Sequence, residues 1–99
     1  MVKQIDTNEF KEVIKEGKVV VDLFATWCGP CKMLKPVLEE ISEEKSFKIV
    51  SVDVDNNMEL AKEYGIMTIP CLILFKDGKE VKRSVGLKTK DDIINMMEE

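Results

Sequence analysis

The feature that most limits what this chain can fold into is the run Val19-Val20-Val21-Asp22-Leu23-Phe24-Ala25, apolar throughout except for one acid. A strand with one wet face alternates apolar and polar side chains. A run this continuous reads instead as a central strand covered on both faces. Helices must then lie on either side of a sheet, and the rest of the chain has the periodicity to supply them.

Lys18 to Ala25 is that central strand. Val2 to Ile5 reads as a short first strand, followed by the helix start Asp6-Thr7-Asn8-Glu9, an acidic cap with Glu three positions on. Phe10, Val13 and Ile14 share one face of that helix, and Gly17 stands at its end. A second helix follows Trp27-Cys28-Gly29-Pro30-Cys31, with Leu34, Leu38 and Ile41 inward. The apolar spacing continues past Pro36, which predicts a kink rather than a stop. Phe47 to Val54 is a third strand. Asn57 to Tyr64 is a short helix closed by Gly65, with Leu60, Ala61 and Tyr64 inside. Cys71 to Phe75 and Glu80 to Val85 form a hairpin about Asp77-Gly78, a dipeptide suited to positive φ. Thr89 caps a last helix, with Asp91 and Asp92 in its first turn and Ile93, Ile94 and Met97 on its inner face.

The order βαβαβαββα implies parallel pairing of the early strands and an antiparallel hairpin at the end. The expected class is α/β: a mixed five-stranded central sheet flanked by four helices, with residues 1–99 forming one domain.

Fifteen Lys and Arg against nineteen Asp and Glu, interleaved along the chain, leave a net charge of −4 and no basic stripe. That excludes nucleic acid and anionic membrane as expected partners. Met1 to Asp6 lacks a secretory signal's basic start and apolar run, and stretches such as Ile69 to Phe75 are far too short to span a bilayer. The expected compartment is the cytoplasm, where thiols stay reduced.

In that setting a Cys-x-x-Cys pair is catalytic or metal-binding more readily than structural. With no His and only one cysteine beyond Cys28 and Cys31, the chain is short of ligands for a closed zinc site, so neither metal nor cofactor is expected. The pair opens a helix directly after the buried strand. Free backbone N–H groups and the positive end of the helix dipole favour a thiolate there, which makes Cys28 the nucleophile. Gly29 allows close approach, Pro30 suits a first-turn position, and Cys31 returns to the same side to close a disulfide. The implied chemistry is thiol–disulfide exchange, in which Cys28 forms a mixed disulfide that Cys31 resolves. Asp22, six residues before Cys28 and flanked by apolar residues, is expected to be buried with a raised pKa. Pro70 begins a strand, where an ordinary trans proline is the plain expectation.

Trp27-Cys28-Gly29-Pro30-Cys31-Lys32 resembles the active-site signature of the thioredoxin family, and Asp22, Pro36, Ile69-Pro70, Asp77-Gly78 and Gly86 stand at family-like spacings along nearly the whole chain. The resemblance implies the thioredoxin fold and a general protein-disulfide reductase. Such a protein is monomeric, acts on disulfide-containing protein substrates and is re-reduced by a thioredoxin reductase. A lowered thiol pKa and a reducing potential are properties of that family. It further implies that Asp22 takes the proton of Cys31 and that the Ile69–Pro70 bond is cis and lies against the cysteines. Trp27, Gly29, Pro30, Ile69, Pro70 and Gly86 then form an apolar docking patch without charged residues, the Ile69 backbone pairing with an extended substrate. Two other readings stay open: an oxidase or isomerase using the same pair, and a binding module that needs no redox turnover.

The chain departs from the family pattern at three positions. Cys71 stands where Thr is common, and is either a third redox thiol or a small core residue. Ser51 replaces a frequent Lys near the buried acid, and Phe24 a frequent Trp.

Overall fold

The computed structural model describes residues 1–99. Five strands, β1 (Lys3–Gln4), β2 (Lys18–Phe24), β3 (Ile49–Asp53), β4 (Cys71–Lys76) and β5 (Lys79–Val85), form one sheet in the order β1-β3-β2-β4-β5. β2 pairs parallel with β3 and antiparallel with β4, so it has a strand on either side as well as a covered face above and below. The sheet is therefore mixed, as the element order predicts.

Four helices flank it: α1 (Thr7–Val13), α2 (Gly29–Lys45), α3 (Met58–Glu63) and α4 (Lys90–Met97). Their starts are chemically specified. Asp6 Oδ1 accepts from the Glu9 N–H at 2.8 Å while Glu9 reaches back to the Asp6 N–H, so two free donors at the head of α1 are satisfied reciprocally. Thr89 and Asp92 repeat the device at α4. α2 runs through Pro36 without ending.

Alternation along the buried strands divides the core in two. Val19, Val21 and Leu23 of β2 join Cys71, Ile73 and Phe75 of β4 beneath α1 and α3, where Phe10, Tyr64 and Phe75 meet edge to face with centroids 5.5–5.6 Å apart. Val20 joins Leu72 and Leu74 under Leu34, Leu38 and Ile41 of α2 and Ile93, Met96 and Met97 of α4. Asp22 belongs to this second face by the same alternation.

Element ends differ from the sequence reading by a residue or two, most at β1 and at β3, which begins at Ile49 and not Phe47. β1 is shorter than Val2–Ile5 because it is an edge strand with one neighbour, bridged at only Lys3 and Gln4. β3 ends at Asp53, not Val54, because the Asp53 carboxylate accepts the Asp55 N–H at 2.9 Å and winds Val54–Asn56 into a 3₁₀ turn. The predicted hairpin turn is present, with Asp77 and Gly78 both at positive φ. Asp77 also exchanges hydrogen bonds with the backbone of Gly17, tying the hairpin tip to the loop before β2.

Phe10 is 3% exposed and contacts both other rings of the aromatic trio. Phe10→Ala should destabilise the fold by roughly 3–5 kcal/mol in urea unfolding, as large-to-small changes in aromatic cores do. Cys28 alkylation below the transition should stay near wild type, since this core lies across the sheet from α2.

Candidate active site

The buried strand delivers the chain to the head of α2. After Phe24 the backbone turns, with the Cys28 N–H donating to the Ala25 carbonyl, and Cys28 becomes the N-cap residue of the helix. Gly29 and Pro30 occupy its first positions, where a missing N–H costs nothing. The Cys31 N–H, one of the donors that α2 cannot satisfy internally, points at Cys28 Sγ from 3.2 Å. No acidic residue sits in the first turn to compete for that positive end.

Cys28 and Cys31 are joined as a disulfide with Cα atoms 5.3 Å apart. Their exposures are 5% and 4%. They pack on Ala25, Phe24, Val54 and Ile69. The Ile69 carbonyl oxygen lies 3.9 Å from Cys28 Sγ, and the Ile69–Pro70 bond is cis, as the resemblance implies. Gly86 closes this corner, its N–H donating to the Pro70 carbonyl at 2.8 Å.

Asp22 is 5% exposed, and its Oδ1 has no hydrogen-bond partner in the protein. Burial pushes its pKa up from 3.8 to about 7, and no neighbouring cation pulls it back. The expectation drawn from Val19–Ala25 therefore matches the structure. Asp22 and Cys31 line one cleft of about 270 Å³, together with Gln4, Ser51, Lys32 and Lys35. A buried sulfur and a carboxyl group that is half ionised near neutrality thus face the same space.

Comparison with known proteins fits this geometry. The Thioredoxin family profile matches residues 1–99. The chain is 50% identical to the thioredoxin of Chlamydia trachomatis over 98 residues, covering 98% of this chain and 96% of that protein. It is 50% identical to the thioredoxin of Bacillus subtilis over 93 residues, covering 92% and 88%. A mutant thioredoxin from Halobacterium salinarum superposes with a TM-score of 0.90 at 36% identity, over 97% of this chain and 87% of that one. The chain belongs to the thioredoxin family. It is a disulfide oxidoreductase, and its redox pair is Cys28–Cys31.

The surface beside the thioredoxin pair differs in part from the uncharged patch expected. Trp27 is 69% exposed, and its indole N–H donates to Asp55 Oδ2 at 2.8 Å, so a carboxylate is built into the patch. From Trp27 and Ile69 an apolar groove runs along α3 past Met58, Ile66 and Met67. The two methionines are 72% and 96% exposed. The sequence singles out neither, since neither stands at an inner-face position of a helix or strand. Gly29 and Pro30 are exposed at the helix start, whereas Pro70 is buried behind Cys28. Gly86 has φ +90°, so any side chain there strains the backbone that holds Pro70, besides altering the surface. Cys71 is free, 1% exposed and aimed into the other core; burial raises its thiol pKa.

Burying Asp22 has a thermodynamic sign. The folded protein holds this proton more tightly than the unfolded chain does, so the contribution to stability is intact below about pH 4 and falls as pH rises toward 7. Over that interval the loss is about 4 kcal/mol at roughly 1.4 kcal/mol per pH unit. Asp22→Asn should therefore be more stable than wild type by on the order of 2–4 kcal/mol at pH 8. Guanidinium titrations should show the two proteins converging by pH 4; a gap independent of pH would contradict the assignment.

Proposed function

We propose that this chain is a general protein-disulfide reductase, a cytoplasmic monomer that carries electrons from a thioredoxin reductase to disulfides in other proteins. The observation that supports this most directly is the asymmetry of the pair: one sulfur at the N-cap, receiving a backbone N–H, and its partner inside the first turn on the cleft shared with Asp22.

Each residue then has a role. In the reduced protein the end of α2 holds Cys28 as a thiolate, which attacks a substrate disulfide and expels one substrate sulfur. An extended substrate segment pairs with the backbone at Ile69. Trp27, Gly29, Pro30 and Gly86 offer it an apolar, low-relief surface, and Pro70 fixes the backbone behind the sulfurs. Asp22 takes the Cys31 proton. The Cys31 thiolate attacks Cys28, the internal disulfide forms, and the second substrate sulfur leaves as a thiolate. Two electrons have passed from the pair to the substrate, and a reductase must return them.

The absence of any helix long and apolar enough to cross a membrane agrees with this setting. A docking surface of modest size, rimmed by Asp55, Glu59 and Lys62, suits brief encounters with many partners better than tight binding to one.

Insulin reduction driven by a dithiol, or by NADPH with a thioredoxin reductase, tests the proposal. Cys28→Ser should abolish turnover, and Cys31→Ser should accumulate a mixed disulfide through Cys28 that is visible by mass spectrometry. Replacing both cysteines by Ser should leave no reductase activity. A double variant that still performed the protein's task would establish a binding module instead.

A further inference from the structure

Strand register lines up polar side chains across this sheet. Gln4 of β1 pairs with Ser51 of β3, and Ser51 pairs with Asp22 of β2. Directly paired residues present their side chains on the same face, and all three line the cleft that also reaches Cys31. Exposure falls along the row: Gln4 is exposed, Ser51 half-buried and Asp22 buried. The next partner beyond Asp22 is Leu72, so the polar row ends at the acid.

This arrangement runs against the chemistry of the rest of that face, which is Val20, Ile49, Leu72 and Leu74. The Asp22 Oδ1 atom has no partner in the protein, a costly state for a buried oxygen. The cleft of about 270 Å³ far exceeds the roughly 10–15 Å³ that one water needs, and Asp22, Ser51 and Gln4 supply the polar contacts to hold several. The charged or titratable groups facing Asp22 in this cleft are Cys31, Lys32 and Lys35, all of α2. The two lysines are exposed, and β3 and β1 contribute no charge to its lining. β4 presents Leu72, and its Cys71 lies on the opposite face.

We propose that Ser51 and Gln4 are positioning residues of a hydrated proton exit, carrying the Cys31 proton from Asp22 to solvent at the β1 edge of the sheet. The proposal rests on the reading of Asp22 as proton acceptor. In the resolving step the Cys31 S–H bond breaks and the proton passes to the Asp22 carboxylate. The Cys31 thiolate then forms the bond to Cys28, and the electron pair of the broken mixed disulfide leaves on the substrate sulfur. The acid must then lose its proton before it can serve again. Water held by the Ser51 hydroxyl takes that proton, and further water held by the Gln4 amide passes it to bulk. The same hydroxyl and water solvate the ionised carboxylate, so the row also sets the pH at which Asp22 is ready.

The isosteric pair Ser51→Thr and Ser51→Val separates the hydroxyl from shape, and β-branched residues suit a strand. The readouts are the pH profile of mixed-disulfide resolution, the Asp22 carboxyl titration by NMR, and Cys28 alkylation. Ser51→Val should move both midpoints upward by about one pH unit, lowering resolution about tenfold at pH 6, as loss of a polar partner to a charged group does. Ser51→Thr should retain the wild-type profile, and alkylation of Cys28 should be unchanged in both. Gln4→Leu, at the exposed end, should shift the midpoint in the same direction by about threefold in rate, and serves alone if Ser51→Val does not fold. Asp22→Asn separates the two layers of the argument. If it removes the pH-dependent step while Ser51→Val and Gln4→Leu leave the midpoints in place, the exit is wrong and the acceptor stands. If Asp22→Asn resolves mixed disulfides with the wild-type profile, the acceptor and the exit both fall.

Discussion

The structure depends on covering β2 from both sides. A strand with helices above and below and partners left and right is shielded from bulk water over most of its length, so what it carries at its centre is held in low dielectric. For Val19, Val20, Val21 and Leu23 that is the main favourable term of folding, each buried side chain contributing about 1.5–3 kcal/mol. For Asp22 the same burial acts against the charged form and sets its pKa near neutrality. The environment that stabilises the fold is therefore also what raises the pKa of the acid.

The second consequence is directional. β2 ends at Phe24, and the chain needs only Ala25 to Cys28 before α2 begins. Seventeen residues of α2, held to the sheet by Leu34, Leu38 and Ile41, keep its N-terminus in place against Ile69. The helix end thus presents its unsatisfied N–H groups at one fixed point, and Cys28 stands there. The two sulfurs are three residues apart and nearly equal in exposure, yet they differ in kind. One caps the helix and receives a backbone N–H, while the other lies inside the first turn on the cleft shared with Asp22. The proposed order of exchange rests on that difference.

What could be read from the sequence was whatever depends on neighbours along the chain. Asp6 with Glu9, Thr89 with Asp92, Asp77-Gly78 and the apolar spacing of α2 each specify a local geometry, and each appears where its residues stand. Cys28 and Cys31 were legible for the same reason, as a pair within one helical turn. What was not legible depends on segments brought together by folding. Asp55 reaches Trp27 across 28 positions, and Met58 and Met67 line a groove only because α3 lies beside the Ile69 loop. The row Gln4–Ser51–Asp22 needs the register of three strands, which no single segment encodes. Even the shortness of β1 is a tertiary fact, since it has one neighbour to bridge.

Strand alternation also settles how an exchange protein tolerates a third thiol. Cys71 follows Pro70 immediately, in the segment that lies against the redox pair, and a reactive sulfur there would compete for every mixed disulfide. It sits one residue from Leu72, however, and so points to the opposite side of the sheet, among Ile73, Phe75 and Leu23. There it is 1% exposed and its pKa is raised by burial, so the nucleophilic thiolate is suppressed twice, by access and by ionisation. Asp22 lies on the face that Cys71 avoids. One sheet therefore keeps the buried Cys71 thiol and the buried Asp22 acid on opposite faces, and the period of two along β4 and β2 is sufficient to do so.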